Sequence, residues 1–175
     1  MAAAYSGPQP TRPNNWKSQK AGEYKNKLLD VYGKPDLQGP SVCVWDDGEG
    51  KITRTVIKDE GIAHAFPMPH TDFVYSTIVI PAWAPKDGVS TVPEEVVATL
   101  AAVSGSIIVD GLKGEVTARC GMLIKNGVTL GFVEDLVAGK VLVANAKDEY
   151  ASRIKGNVIP EWFPDLMEEE HMIPG

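Results

Sequence analysis

SVCVWDDGEGKITRTVIK, residues 41–58, is the stretch whose reading decides the fold. Two alternating runs flank Asp46-Asp47-Gly48-Glu49-Gly50, a dense cluster of turn-forming residues. On the first run Val42, Val44 and Asp46 point one way and Cys43 and Trp45 the other. On the second, Ile52, Arg54, Val56 and Lys58 oppose Thr53, Thr55 and Ile57. A period of two on both sides of a turn predicts an antiparallel hairpin, and a hairpin makes the sheet at least partly antiparallel.

Downstream, residues 73–80 (FVYSTIVI) are apolar at both alternate positions and closed by Pro81, which predicts a central strand. Thr91-Val92-Pro93-Glu94 has the spacing of a capping box with proline in the first turn. It predicts a helix running to about Val103 and stopping at Ser104-Gly105. Residues 106–110 and 115–120 read as strands around the turn 111–114. Residues 121–138 read as a helix carrying Leu123, Leu130, Phe132, Val133 and Leu136, with Gly139 as its stop. Gly127 and Gly131, four apart on that helix, imply close packing of the helix on the sheet. Residues 146–154 read as a further helix. Upstream, residues 21–32 place Tyr24, Leu28, Leu29 and Tyr32 on one stripe ahead of Gly33. The expected fold is α+β, an antiparallel or mixed sheet with two to four helices mainly on one face.

The chain divides into three zones. Residues 1–20 form an extended basic arm with Pro8, Pro10 and Pro13, residues 21–155 the single domain, and residues 156–175 an acidic aromatic tail. The arm cannot bury enough apolar surface to offset the entropy of ordering it. Yet it carries Tyr5, Arg12 and Trp16, and the tail sets Trp162 and Phe163 between prolines ahead of Glu168, Glu169 and Glu170. Oppositely charged ends with aromatic anchors predict contacts with a protein partner or a second copy of the chain, through Tyr5, Arg12, Trp16, Trp162 and Phe163. On this reading the chain is a non-catalytic structural or interaction protein.

Composition narrows the alternatives. A net charge of −6 argues against general nucleic-acid binding, which needs a basic surface. No run approaches the roughly 18 apolar residues of a membrane span, so no membrane insertion is expected. The N-terminus lacks the pattern of a secretory signal. Two cysteines, Cys43 and Cys120, without a CxxC pair, suit reduced thiols in a cytoplasmic protein rather than a disulfide framework. No phosphate-binding glycine loop is present, and residues 46–50 lack the alternating ligands of a calcium loop.

The chemistry concentrates in His64-Ala-Phe-Pro-Met-Pro-His70-Thr-Asp72. Its two prolines fix φ and predict a rigid corner ahead of the central strand. His64, His70 and Asp72 offer two imidazoles and a carboxylate, a donor set suited to zinc or iron(II). A different use of the corner is acid–base work by His70, oriented by Asp72, with Cys120 or Ser76 as nucleophile. A small enzyme or ligand-binding protein, with or without metal, is therefore the alternative to the assembly reading; no cofactor is named by a motif. A structural turn whose histidines bond to backbone groups also fits the pattern.

Tyr32-Gly33-Lys34-Pro35-Asp36, the corner 64–72, Thr117-Ala118-Arg119-Cys120 and Asn126-Gly127-Val128-Thr129-Leu130 together resemble uncharacterised short proteins of bacteria and large DNA viruses. The resemblance spans most of residues 21–154. It implies a virus-associated or accessory protein, located in the virion if virus-encoded, and brings no catalytic residue with it.

Overall fold

The hairpin at 41–58 forms in the register that its alternation implies. In the computed structural model, which describes residues 15–46, 50–66 and 68–164, β2 (Val42–Asp46) lies antiparallel to β3 (Ile52–His64). Cys43 faces Ile57 and Trp45 faces Thr55. β4 (His70–Val79) pairs with the far side of β3, and β6 (Glu115–Cys120) and β5 (Ile107–Asp110) follow it. The two-residue β1 (Leu37–Gln38) edges β2. The sheet runs β1-β2-β3-β4-β6-β5, antiparallel throughout, with β4 central as its apolar sequence requires.

Cross-strand partners share a face. One face carries the rows Cys43–Ile57–Val74 and Trp45–Thr55–Ser76–Ala118–Ile107, all buried. Helices α1 (Gln19–Tyr32), α2 (Glu94–Val103) and α3 (Leu123–Val137) pack on the strands, and α4 (Ala146–Gly156) packs on α2 and α3. Asn126 of α3 reaches the sheet, its Nδ2 donating to Val74 O and Ser76 Oγ at 3.1 Å each. Trp45 Nε1 donates to Gly33 O at 3.0 Å, tying the end of α1 to β2. No helix among the described residues is long and apolar enough to cross a membrane.

β3 is longer than its sequence suggests. Asp59-Glu60-Gly61 looks like the end of a strand, but the pairing absorbs it as an irregularity: Ile57 faces Val74, whereas Ile62 faces Asp72. Asp59 uses that departure. Its carboxylate accepts from Lys17 N and Ser18 N, both at 2.8 Å, just ahead of α1. Ser18 Oγ accepts from Ala21 N at 3.2 Å, so the first turn is capped twice. At the other end Gly33, at φ 78°, donates its N–H to Leu29 O and closes the helix.

Two local expectations are corrected. The capping box at 91–94 does not form. Pro93 is itself the cap, extended at ψ 137°, and Thr91 Oγ1 donates instead to Ala84 O at 3.0 Å. The stiff proline holds Thr91 too far from the helix for its hydroxyl to reach Glu94 N. Nor do Gly127 and Gly131 admit the sheet. They admit the tail: a Cβ on Gly131 would lie 3.1 Å from Pro160, and one on Gly127 would collide with the Phe163 ring. Phe163 is consequently buried, and Trp162 Nε1 donates to Glu134 Oε1 at 2.5 Å. Lys125 Nζ secures the bend by donating to Ile154 O at 2.8 Å and Asn157 Oδ1 at 2.5 Å. Residues up to Pro164 thus pack as part of the domain.

Gly127→Ala tests this latch. The added methyl meets an aromatic ring wedged between tail and helix, so overpacking should destabilise the protein by about 1–3 kcal/mol. Hydrogen exchange should accelerate selectively at residues 157–164. Unchanged exchange there would show that the ring has room to move.

Candidate metal centre

The corner read from the sequence is the tip of the β3–β4 hairpin. His64 is the last residue of β3, His70 the first of β4, and the two face each other in register. Asp72 lies two residues along β4, hence on the same side as His70. Histidines six apart and a carboxylate two further on are the spacing of a hairpin end, and this brings all three together. Donor atoms of His64, His70 and Asp72 lie within 4.8 Å of one another. Phe66 anchors the tip on α4, where its ring stacks on Tyr150 at 6.2 Å and lies under Lys147 Nζ at 5.3 Å.

Three distances define the cluster. His64 Nδ1 is 3.3 Å from His70 Nε2, His70 Nε2 is 2.8 Å from Asp72 Oδ1, and His64 Nδ1 is 3.5 Å from Asp72 Oδ2. A tetrahedral ion with bonds of about 2.0–2.1 Å holds its donors about 3.3 Å apart. The Asp72 side chain has no exposure, whereas those of His64 and His70 keep 17% and 21%. The cluster is therefore closed on the carboxylate side and reaches solvent at the rings.

Each donor is held from behind. His70 Nδ1 donates to Met68 O at 2.6 Å. His64 Nε2 faces Ser104 Oγ at 3.4 Å. Asp72 Oδ2 accepts a short hydrogen bond from Ser106 Oγ and lies 3.4 Å from Arg119 Nε. Arg119 Nη2 donates in turn to Gly105 O at 3.3 Å. Backbone or hydroxyl partners on the outer atoms of histidine and carboxylate ligands are the usual support of a metal site. Ser104, Ser106 and Arg119 come from the α2–β5 turn and from β6, and nothing in the local sequence singles them out as partners of the hairpin tip.

The electrostatics of the two rings differ. Burial lowers the pKa of His64, the Asp72 charge opposing and His70 and Arg119 adding to the effect. His70 is raised to about 9, chiefly by a hydrogen bond with Cys120, with burial opposing and Met68 O and the Cys120 and Asp72 charges assisting. His64 is thus neutral near pH 7 and His70 protonated.

A carbonyl can only accept, so His70 Nδ1 carries a proton. In the neutral ring Nε2 would then bring a lone pair to within 2.8 Å of Asp72 Oδ1, though not aimed straight at it. Two lone pairs at 2.8 Å require a positive charge between them, supplied by a proton or by a metal ion. The proton serves imperfectly: Asp72 Oδ1 is fully buried and, despite its nearness to Nε2, has no properly aligned hydrogen-bond partner among the described residues.

The same geometry bears on the nucleophile reading. A cysteine–histidine pair needs one ring nitrogen facing the sulfur and the other held by an orienting group. Here Nδ1 is engaged by Met68 O, and Nε2 faces Asp72 and His64. Cys120 lies close enough to His70 to act on its proton, but to serve the thiol as base a ring nitrogen would have to turn from the partners it has. Ser76 is fully buried and accepts from Asn126.

Of the expected partner contacts, Trp16 and Phe163 are buried at 8% and 9% exposure and belong to the chain's own core, which corrects their reading as outward anchors. Trp162 is partly buried against that core. Tyr5, Arg12 and the acidic run at 168–170 lie outside the described residues. No family model, curated protein or solved structure matches the chain.

Proposed function

We propose that this chain is a metal-binding protein that holds one divalent transition-metal ion, zinc or iron(II), between His64, His70 and Asp72. The observation that carries the reading is Asp72 Oδ1: a buried carboxylate oxygen 2.8 Å from an imidazole nitrogen and unaligned with any donor. A cation bound to both atoms satisfies each in its own lone-pair direction, which a single proton between them does not.

The network accepts the exchange. His64 Nδ1 lies 3.0 Å from Ser106 Oγ, and Ser104 Oγ faces Nε2. Ser104 Oγ already accepts from Ser106 N at 3.1 Å and has capacity for a second donor. Moving the His64 proton from Nδ1 to Nε2 frees Nδ1 for the ion and leaves both hydroxyls partnered. Imidazole and carboxylate donors favour zinc and iron(II) over magnesium or calcium, which prefer oxygen alone. The bound ion would join the hairpin tip, through Ser106 and Arg119, to the α2–β5 turn and β6.

Competition titration of the metal-stripped full chain against a chromophoric zinc chelator tests the proposal. One ion per chain is expected. His64→Ala and His70→Ala should each weaken binding by more than about 100-fold, and Ser106→Ala, which supports Asp72 and His64 without being a ligand, by about 10–100-fold. Zinc binding that survives both histidine substitutions would refute the site, as would an absence of binding.

A further inference from the structure

Three protein donors leave one corner of a tetrahedron to fill. We propose that Cys120 fills it as a thiolate, so that two histidines, one aspartate and one cysteine complete the centre; the inference rests on the metal reading above.

Position comes first. Cys120 ends β6 and faces Val74, the residue two beyond Asp72 on β4. Immediately past it, the chain presses against the hairpin tip: a Cβ on Gly121 would lie 3.1 Å from the carbonyl oxygen of Thr71, the residue between His70 and Asp72. The thiol lies close enough to the His70 ring to act on its proton. It stands outside the trio of donor atoms, so ligation requires the sulfur to move toward them.

The two cysteines then part company. Cys43 is 1% exposed and packs as a small apolar side chain in the row with Ile57 and Val74. Cys120 is half-buried, beside the place where two histidines and a carboxylate with an unaligned oxygen converge.

Charge and softness agree. Two neutral imidazoles and Asp72 bring a donor charge of about −1, and a thiolate brings it to about −2, equal and opposite to a divalent ion. A sulfur donor also selects zinc or cobalt and excludes magnesium and calcium more sharply than nitrogen and oxygen alone.

Cobalt(II) substitution reads the donor directly. Metal-stripped full chain titrated with cobalt(II) chloride should develop intense visible d–d bands, marking a tetrahedral ion, and a near-ultraviolet sulfur-to-cobalt charge-transfer band. Cys120→Ser should abolish the charge-transfer band while retaining cobalt binding at least about 10-fold weaker, and Cys43→Ser should leave both features intact. Cobalt bound without a charge-transfer band overturns the Cys120 assignment and leaves the three-donor site standing. So does a band that survives Cys120→Ser. No cobalt binding overturns both readings together. Circular dichroism of Cys120→Ser identifies a folding failure, and the parent protein's own spectrum then decides.

Discussion

Asp72→Ala will cost the fold about 3–5 kcal/mol and remove metal binding, the largest loss expected of any single substitution here. The carboxylate has no solvent exposure and is surrounded by His70 Nε2 at 2.8 Å, Arg119 Nε at 3.4 Å and the Ser106 hydroxyl. Truncation leaves a protonated imidazole and a guanidinium facing each other without a counter-charge, and a hydroxyl without its acceptor. Each of those losses falls where water cannot fully replace the missing group. Asp72→Asn separates the two roles of the residue. The amide keeps the volume and can still accept from Ser106, so urea unfolding of the metal-free protein should show a smaller loss than for alanine. Zinc affinity should fall as far as it does for alanine, because a neutral amide is a poor donor for a transition metal. An asparagine variant that binds zinc like the parent would remove Asp72 from the ligand set.

The trio itself was legible in the sequence, but the reason for its convergence was not. Two prolines between the histidines suggested a preset corner. The register adds that the corner is a hairpin end, with His64 and His70 directly opposed. That β3 runs on to His64 was hidden by Asp59-Glu60-Gly61. Charge and glycine normally end a strand. Here the carboxylate of Asp59 is consumed by the start of α1 some forty residues earlier, so the strand continues past it. Long-range partners of this kind leave no periodic trace. Ser104 and Ser106 are equally silent: in sequence they are a helix stop and a strand start, and only folding places them against a side chain more than thirty residues away. The glycines of α3 show the complementary case. Their spacing announced a close approach, and what approaches is decided by Pro160 and Phe163 in a segment whose composition suggested a partner-facing tail. Alternation and turn chemistry, which act within a few residues, foretold the hairpin and the central strand and left the sheet antiparallel or mixed; it is antiparallel.

The proton on His70 and the metal ion compete for one place, and the pH dependence of both stability and affinity follows from that. In the metal-free protein the two histidines act in opposite directions. His70, raised to about 9 from 6.5, binds its proton more tightly folded than unfolded. Its contribution to stability is complete below about pH 6.5 and is lost as pH rises through 9. His64, lowered by burial, resists protonation in the fold, so its contribution is present above 6.5 and is lost as pH falls. Stability of the metal-free chain should therefore be greatest near pH 6.5 and decline on both sides by these two effects. Zinc reverses the alkaline decline. Between about pH 6.5 and 9 the ion must displace the proton from Nε2, so apparent affinity should climb at least about tenfold per pH unit. A Cys120 thiolate ligand can only steepen that climb, since thiols too must deprotonate to bind. Calorimetric titration at about pH 7 in buffers of different ionisation enthalpy should register at least one proton released per ion. Once zinc is bound Nε2 no longer titrates, and the stability of the loaded protein should stay level up to about pH 9. A zinc affinity that does not change between about pH 6.5 and 9, with no proton released, would place the ion away from His70 and leave the proton as the only cation this cluster was built to hold.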